Sequence, residues 1–142
     1  MKRYMLDTNI VSHLLKGQPA VKERIVTVPI SALCISAVTA GELSFGLHKR
    51  PEATRLHQAA QELAQRVDVL PWDQNVAEVY GVIRATLTNA GITLAPLDQM
   101  IFAHAVAVDA VIVTDDRAFA PAIDEIKRLG AFPKFELENW IG

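Results

Sequence analysis

The chain is short of cysteine, of aromatic residues, of excess positive charge and of long apolar runs, and each shortage removes a class of protein. One cysteine in 142 residues, Cys34, excludes an internal disulfide and every zinc site built from several thiolates. It lies in the apolar run Leu33-Cys34-Ile35-Ser36 and reads as a buried, inert thiol rather than a nucleophile. Lys and Arg number 14 against 16 Asp and Glu, a net charge of −2, which argues against binding nucleic acid by bulk positive charge. A nucleic-acid enzyme whose bound cations supply the missing charge stays compatible with that balance. Charges interrupt every apolar stretch, and no long hydrophobic segment follows Lys2 and Arg3. Neither a signal peptide nor a membrane-spanning helix is expected, and the expected location is the cytoplasm. With no repeat, low-complexity tract or linker, residues 1–142 read as a single domain.

What is present is a globular composition, 51% hydrophobic and 21% charged, in a chain long enough to bury a core. Short β-rich apolar runs recur at Tyr4–Leu6, Leu33–Ile35, Val67–Leu70, Ala110–Val113 and Phe135–Leu137. Between them stand segments with a 3.6-residue period. Ile10, Val11, Leu14 and Leu15 mark a first helix ending near Gly17, and Pro19 can open a second. Val38, Leu43, Phe45 and Leu47 mark a third, and Leu56, Ala59, Ala60 and Leu63 a fourth after Pro51. Val76, Val79, Tyr80, Ile83 and Leu87 form a clean stripe; Ile101, Phe102, Ala105 and Val108 form another, on a helix read as 98–109. Strands alternating with helices predict an α/β domain around a mostly parallel sheet.

In such sheets, sites form where strands end at their carboxyl edge. Asp7 ends the first strand, Asp115 and Asp116 follow Ala110–Thr114, Glu42 lies six residues beyond Ser36, and Asp98 opens the helix that leads into the Ala110 strand. The plain alternative is capping: Asp is a favoured N-cap, and Thr39 with Glu42 has the spacing of a capping box. Ser36 already supplies a cap for the third helix, however. Glu42 then falls inside that helix beside Val38 and Phe45, where a carboxylate needs a cation or hydrogen-bond partners. Carboxylates gathered in one pocket raise each other's pKa unless a cation neutralises them. An all-oxygen set suits Mg²⁺ or Mn²⁺, and a carboxylate-held Mg²⁺ serves phosphoryl chemistry. His104 points away from Asp98 on its helix and takes a structural or surface role; His13, His48 and His57 read as surface or packing residues.

The stretches MLDTN (5–9), ISAVTAGELSFG (35–46), LDQMIFAHA (97–105) and VTDDRAF (113–119), closed by FELENW (135–140), resemble the PIN-domain ribonucleases. Among these they are most similar to the VapC-type toxins of bacterial toxin–antitoxin pairs. The resemblance implies a three-layer α/β/α sandwich and metal-dependent endonucleolytic cleavage of RNA. It implies that Asp7, Glu42, Asp98 and Asp116 hold Mg²⁺ or Mn²⁺, and that Asn9 and Thr114 orient those acids or a bound water. Gly46 matches a small residue one turn after Glu42, where a side chain would obstruct packing. The chain departs from the pattern at Ala118, where relatives often carry an acid. Asp115 and Asp116 precede it instead, and because neighbours in an extended segment face opposite ways, one reaches the metal: Asp116, with Asp115 in reserve.

The stretch LAPLDQMIFAHA (94–105) resembles the members that cut initiator tRNA in its anticodon stem-loop. Lys49, Arg50 and Arg84 are candidate RNA contacts, although solvated helix faces account for each singly. The resemblance further implies a VapB-type antitoxin that covers the site, and a toxin homodimer. Trp72, Phe132 and Trp140 fit an interface or a core equally well. Three rivals are weighed. A receiver domain needs an acid pair after its first strand and a Lys after its last; a phosphatase of the haloacid-dehalogenase type needs Asp-x-Asp where this chain has Asp7-Thr8-Asn9. A catalytically silent binding module is the third, and the retention of all four acids counts against it.

Overall fold

The computed structural model describes residues 2–132 and 135–141. Along the chain run β1 (Tyr4–Leu6), α1 (Thr8–Leu15), α2 (Pro19–Ile25), β2 (Leu33–Ser36), α3 (Ala37–Lys49), α4 (Thr54–Ala64) and β3 (Asp68–Leu70). There follow α5 (Gln74–Asn89), α6 (Pro96–Ala107), β4 (Val111–Val113), α7 (Phe119–Leu129) and β5 (Leu137–Glu138). The strands form one five-stranded sheet in the order β3-β2-β1-β4-β5, and every pairing is parallel. Met5 pairs with Cys34 on one side and Ile112 on the other, so β1 lies at the centre.

The strands read as continuous apolar runs because both faces are covered. Met5, Cys34 and Ile112 face a core built with α5, α6 and α7; Leu6, Leu33, Ile35 and Val113 face a second core built with α1, α2 and Trp140. The alternation follows the two-residue period of a strand. Helices on both faces of the sheet give the three layers. β2 and β3 extend the sheet to one side of β1, and the chain then crosses back to place β4 and β5 on the other. That reversal makes the carboxyl ends of β1 and β4 a switch point, where an open α/β sheet leaves a crevice.

Several boundaries differ from the sequence reading. α6 starts at Pro96 rather than Asp98, because the fixed φ of proline suits the first helical position. The closing strand is Leu137–Glu138, shifted from Phe135–Leu137; Phe135 is instead buried, edge-on to Phe102. α7 adds a helix beyond those the sequence stripes predict, with Phe119, Ala122, Ile123 and Ile126 at helical spacing and all buried. Phe45 does not join the core: 66% of it is exposed. Burial along α3 fades beyond Thr39. Trp140 lies in the second core and Phe132 packs on the first, whereas Trp72 is half-buried and its indole donates to the Met100 carbonyl. No helix among the described residues is long and apolar enough to cross a membrane.

Candidate active site

Asp7 stands one residue past β1, and its backbone N–H donates to the Val113 carbonyl at 2.9 Å. Its side chain is 2% exposed and fully engaged. Oδ1 accepts from the Thr8 N–H at 2.8 Å, capping α1, and Oδ2 accepts from the Thr114 hydroxyl at 2.8 Å. Capping and site position therefore coincide in one carboxylate. Burial, reinforced by the charges of Asp98 and Glu42 and opposed by those two hydrogen bonds, raises its pKa from 3.8 to about 6.

Glu42 comes from α3, whose start is fixed by Ser36 accepting from the Val38 N–H. The partner that the sequence demanded for it is a hydroxyl: Thr8 Oγ1 donates to Glu42 Oε1 at 2.7 Å. Thr8 thus serves two acids, through its N–H to Asp7 and its hydroxyl to Glu42. Asp98 lies in the first turn of α6 and caps nothing. Its pKa is raised, first by burial and then by Asp116 and Glu42. Asp116 closes the turn after β4, accepting from the Ala118 N–H at 2.9 Å, while its own N–H donates to Thr114 Oγ1 at 3.1 Å. Thr114, 1% exposed, therefore ties Asp7 to the Asp116 turn.

The neighbouring Asp115 is turned elsewhere. Its Oδ2 lies 3.1 Å from His13 Nε2 on α1, a contact that sequence reading missed because 102 residues separate the two. His104 was expected to be structural or at the surface; it is fully buried, with Nδ1 2.7 Å from Ser36 Oγ. Its pKa is lowered by burial, with Asp73 opposing. The Asn9 amide oxygen is buried and has no hydrogen-bond partner among the described residues. The Gly46 expectation is corrected: a Cβ placed there meets nothing within 4 Å, so it opens space rather than permitting close packing. Of the basic candidates, Lys49 and Arg50 line a groove that also contains Glu42, whereas Arg84 on α5 donates to the Tyr80 hydroxyl and has no described contact with the four acids.

The fold thus brings Asp7, Glu42, Asp98 and Asp116 into electrostatic range of one another at the switch point. Among the described residues no ion pair engages any of the four. Their repulsion is the charge deficit that a divalent cation corrects, and an all-oxygen donor set fits a hard one. Among the described residues no three His, Cys, Asp or Glu side chains are already gathered to ligate one ion. Glu42 and Asp98 are each partly exposed on their helices.

Residues 4–123 match the PIN domain. The chain belongs to the PIN-domain family. Within it, this PIN domain is 36% identical to the tRNA(fMet)-specific endonuclease VapC of Shigella flexneri over 99% of both chains. It is 33% identical to the protein of the same name from Salmonella typhimurium, again over 99% of both. Among solved structures, DNA-bound VapBC from Salmonella typhimurium matches this PIN domain with a TM-score of 0.81 and 32% identity, covering 99% of each chain. VapBC2 from Rickettsia felis, bound to a promoter DNA fragment, shares the fold with a TM-score of 0.79 at 24% identity, covering 96% of this chain and 98% of that one.

Proposed function

We propose that this PIN domain is a divalent-metal-dependent endoribonuclease and the toxin of a toxin–antitoxin pair. The observation that carries this reading is the gathering of Asp7, Glu42, Asp98 and Asp116 at the switch point, where among the described residues no ion pair engages any of them. Asp7, Glu42, Asp98 and Asp116 would hold Mg²⁺ or Mn²⁺, which when bound polarises a phosphate oxygen and activates water for in-line attack. The chain's own groups set the frame. Asp7 is the rigid member, its two oxygens occupied by Thr8 and Thr114. Thr8 holds Glu42 toward it, and Thr114 carries the Asp116 turn with it. His13 engages Asp115, which favours Asp116 as the fourth acid. Asn9 offers a neutral acceptor for an ordered water.

The relatives named for tRNA(fMet) cleavage support initiator tRNA as the substrate. Attack by water would leave a 5′-phosphate and a 3′-hydroxyl. The VapBC neighbours support a VapB-type antitoxin as partner. The test is cleavage of several RNAs, initiator tRNA among them, by chain freed of any partner, with and without Mg²⁺ or Mn²⁺. Asp98→Ala is expected to lower the rate at least about a hundredfold with the fold intact by circular dichroism, since even outer groups around a metal are worth 10–100-fold. Products ending in a 2′,3′-cyclic phosphate would show that the RNA's own hydroxyl attacked, and the hydrolytic scheme would fall. A chain that cleaves no RNA in any metal would overturn the enzyme reading.

A further inference from the structure

A groove of about 220 Å³ starts at Thr8 and Glu42 and runs between α1 and α3 to Lys16, Lys49 and Arg50. One wall carries Phe45, 66% exposed, with the Lys49 ammonium 5.3 Å from its ring centroid. A large apolar ring left in water on a helix contributes nothing to the core beneath it. Beside it, Gly46 adds no side chain, and a Cβ there would project into open space. The groove therefore combines a flat aromatic face, a cationic end and an acidic end that belongs to the candidate active site.

We propose that this groove is a subsite for one unpaired RNA nucleotide next to the cleaved bond, its base stacked on Phe45 and its phosphate held at the Lys16–Lys49 end. The proposal rests on the ribonuclease reading and extends it. Aromatic stacking of a splayed base together with cationic tracking of the backbone is how single-stranded RNA is gripped with little sequence demand. The charge gradient sets the direction. A phosphate at the Glu42 end is repelled until a metal neutralises the acids, whereas a phosphate at the Lys16 end is attracted throughout. The scissile phosphate thus belongs at the acids, and its neighbour in the strand at the lysines.

The experiment measures affinity of a fluorescein-labelled RNA hairpin with an unpaired loop, in an Asp7→Asn background with Mg²⁺, and kcat/KM in the otherwise unchanged chain. Phe45→Ala is expected to weaken both about tenfold, and Phe45→Trp to retain them. Gly46→Leu fills the groove from a position where nothing clashes. It is expected to cost a similar factor while the melting temperature stays the same or rises, because glycine inside a helix is unfavourable. Lys49→Ala should lower the slope of log affinity against log salt by about 0.7–1. RNA binding and cleavage unchanged in both Phe45→Ala and Gly46→Leu would overturn the subsite alone. If those variants instead weaken only the capture of an antitoxin peptide, the groove belongs to a protein partner. A parent chain that neither binds nor cuts RNA would overturn this reading and the ribonuclease reading together.

Discussion

Asp7 is held in a form that costs the fold stability. Its folded pKa of about 6 lies above its ordinary 3.8, so between these values the native state binds more protons than the unfolded chain. Stability from this residue is therefore present at low pH and falls as pH rises from about 4 to 6, by up to about 3 kcal/mol at 1.36 kcal/mol per pH unit. Asp98, also raised, acts in the same sense. His104 acts in the opposite sense: its lowered pKa keeps it neutral when folded, so its contribution is lost as pH drops below 6.5. The Asp7 effect is accordingly read as the difference between two proteins. Asp7→Asn keeps the acceptor for the Thr8 N–H, and the Thr114 hydroxyl can turn to accept from the new amide. In metal-free buffer at pH 7 this variant is expected to be about 2 kcal/mol more stable than the parent by urea denaturation, with the gain vanishing near pH 4, and to be inactive as a nuclease. A variant no more stable than the parent at pH 7 would mean that the buried carboxylate is not under stress. The carboxylate at the end of the first strand was legible in the sequence. Thr114, the group that orients it, was reached through the family resemblance and not through local pattern, for it lies 107 residues away and the parallel pairing of β1 with β4 brings it there.

At the scale of elements, the site depends on how α3 and α6 meet, since one carries Glu42 and the other Asp98. Their junction is a buried polar contact: Ser36 Oγ accepts from the Val38 N–H at 3.1 Å to cap α3, and lies 2.7 Å from His104 Nδ1 on α6. The other ring nitrogen, Nε2, is buried without a partner among the described residues. Removing the hydroxyl would strip His104 of its described partner and α3 of its cap. A buried unsatisfied donor costs about 1–3 kcal/mol and a lost cap about 1 kcal/mol, so Ser36→Ala is expected to destabilise by about 2–4 kcal/mol in urea. Ser36→Thr, which preserves the hydroxyl, should recover part of that. A loss under 1 kcal/mol in Ser36→Ala would show that the helices are held together by apolar packing alone. Sequence periodicity located α3 and α6 because both have long apolar stripes. It misassigned Phe45, since periodicity reports which residues share a face and not how far the face stays covered: the stripe is continuous from Val38 to Phe45, but burial fades along it. For His104 the helical angle from Asp98 said where it does not point, and burial required knowing that Ser36 waits opposite.

For the molecule as a whole, alternation of strands and helices was enough to read a parallel α/β domain, and the acids at strand ends were enough to place a site at one edge. The strand order was out of reach of periodicity, because the crossing from β3 back past β1 to β4 is decided by which faces pack, not by any local run. That crossing is what turns four separated acids into one field of negative charge, and its consequence is a linkage among metal, proton and stability. A divalent ion binding the folded chain at a free concentration a hundredfold above its Kd stabilises it by about 2.7 kcal/mol, a rise in Tm of about 8 °C for a domain of this size. Protons compete for the same carboxylates, and Asp7 takes one up at about pH 6. The rise in Tm on adding Mg²⁺ is therefore expected to be large at pH 7.5, much smaller at pH 5.5 at the same Mg²⁺ concentration, and reduced at both in Asp98→Asn. Scanning calorimetry with and without Mg²⁺ at the two pH values checks this. A rise of equal size at both pH values, surviving in Asp98→Asn, would place the ion away from the acids and leave their repulsion unrelieved.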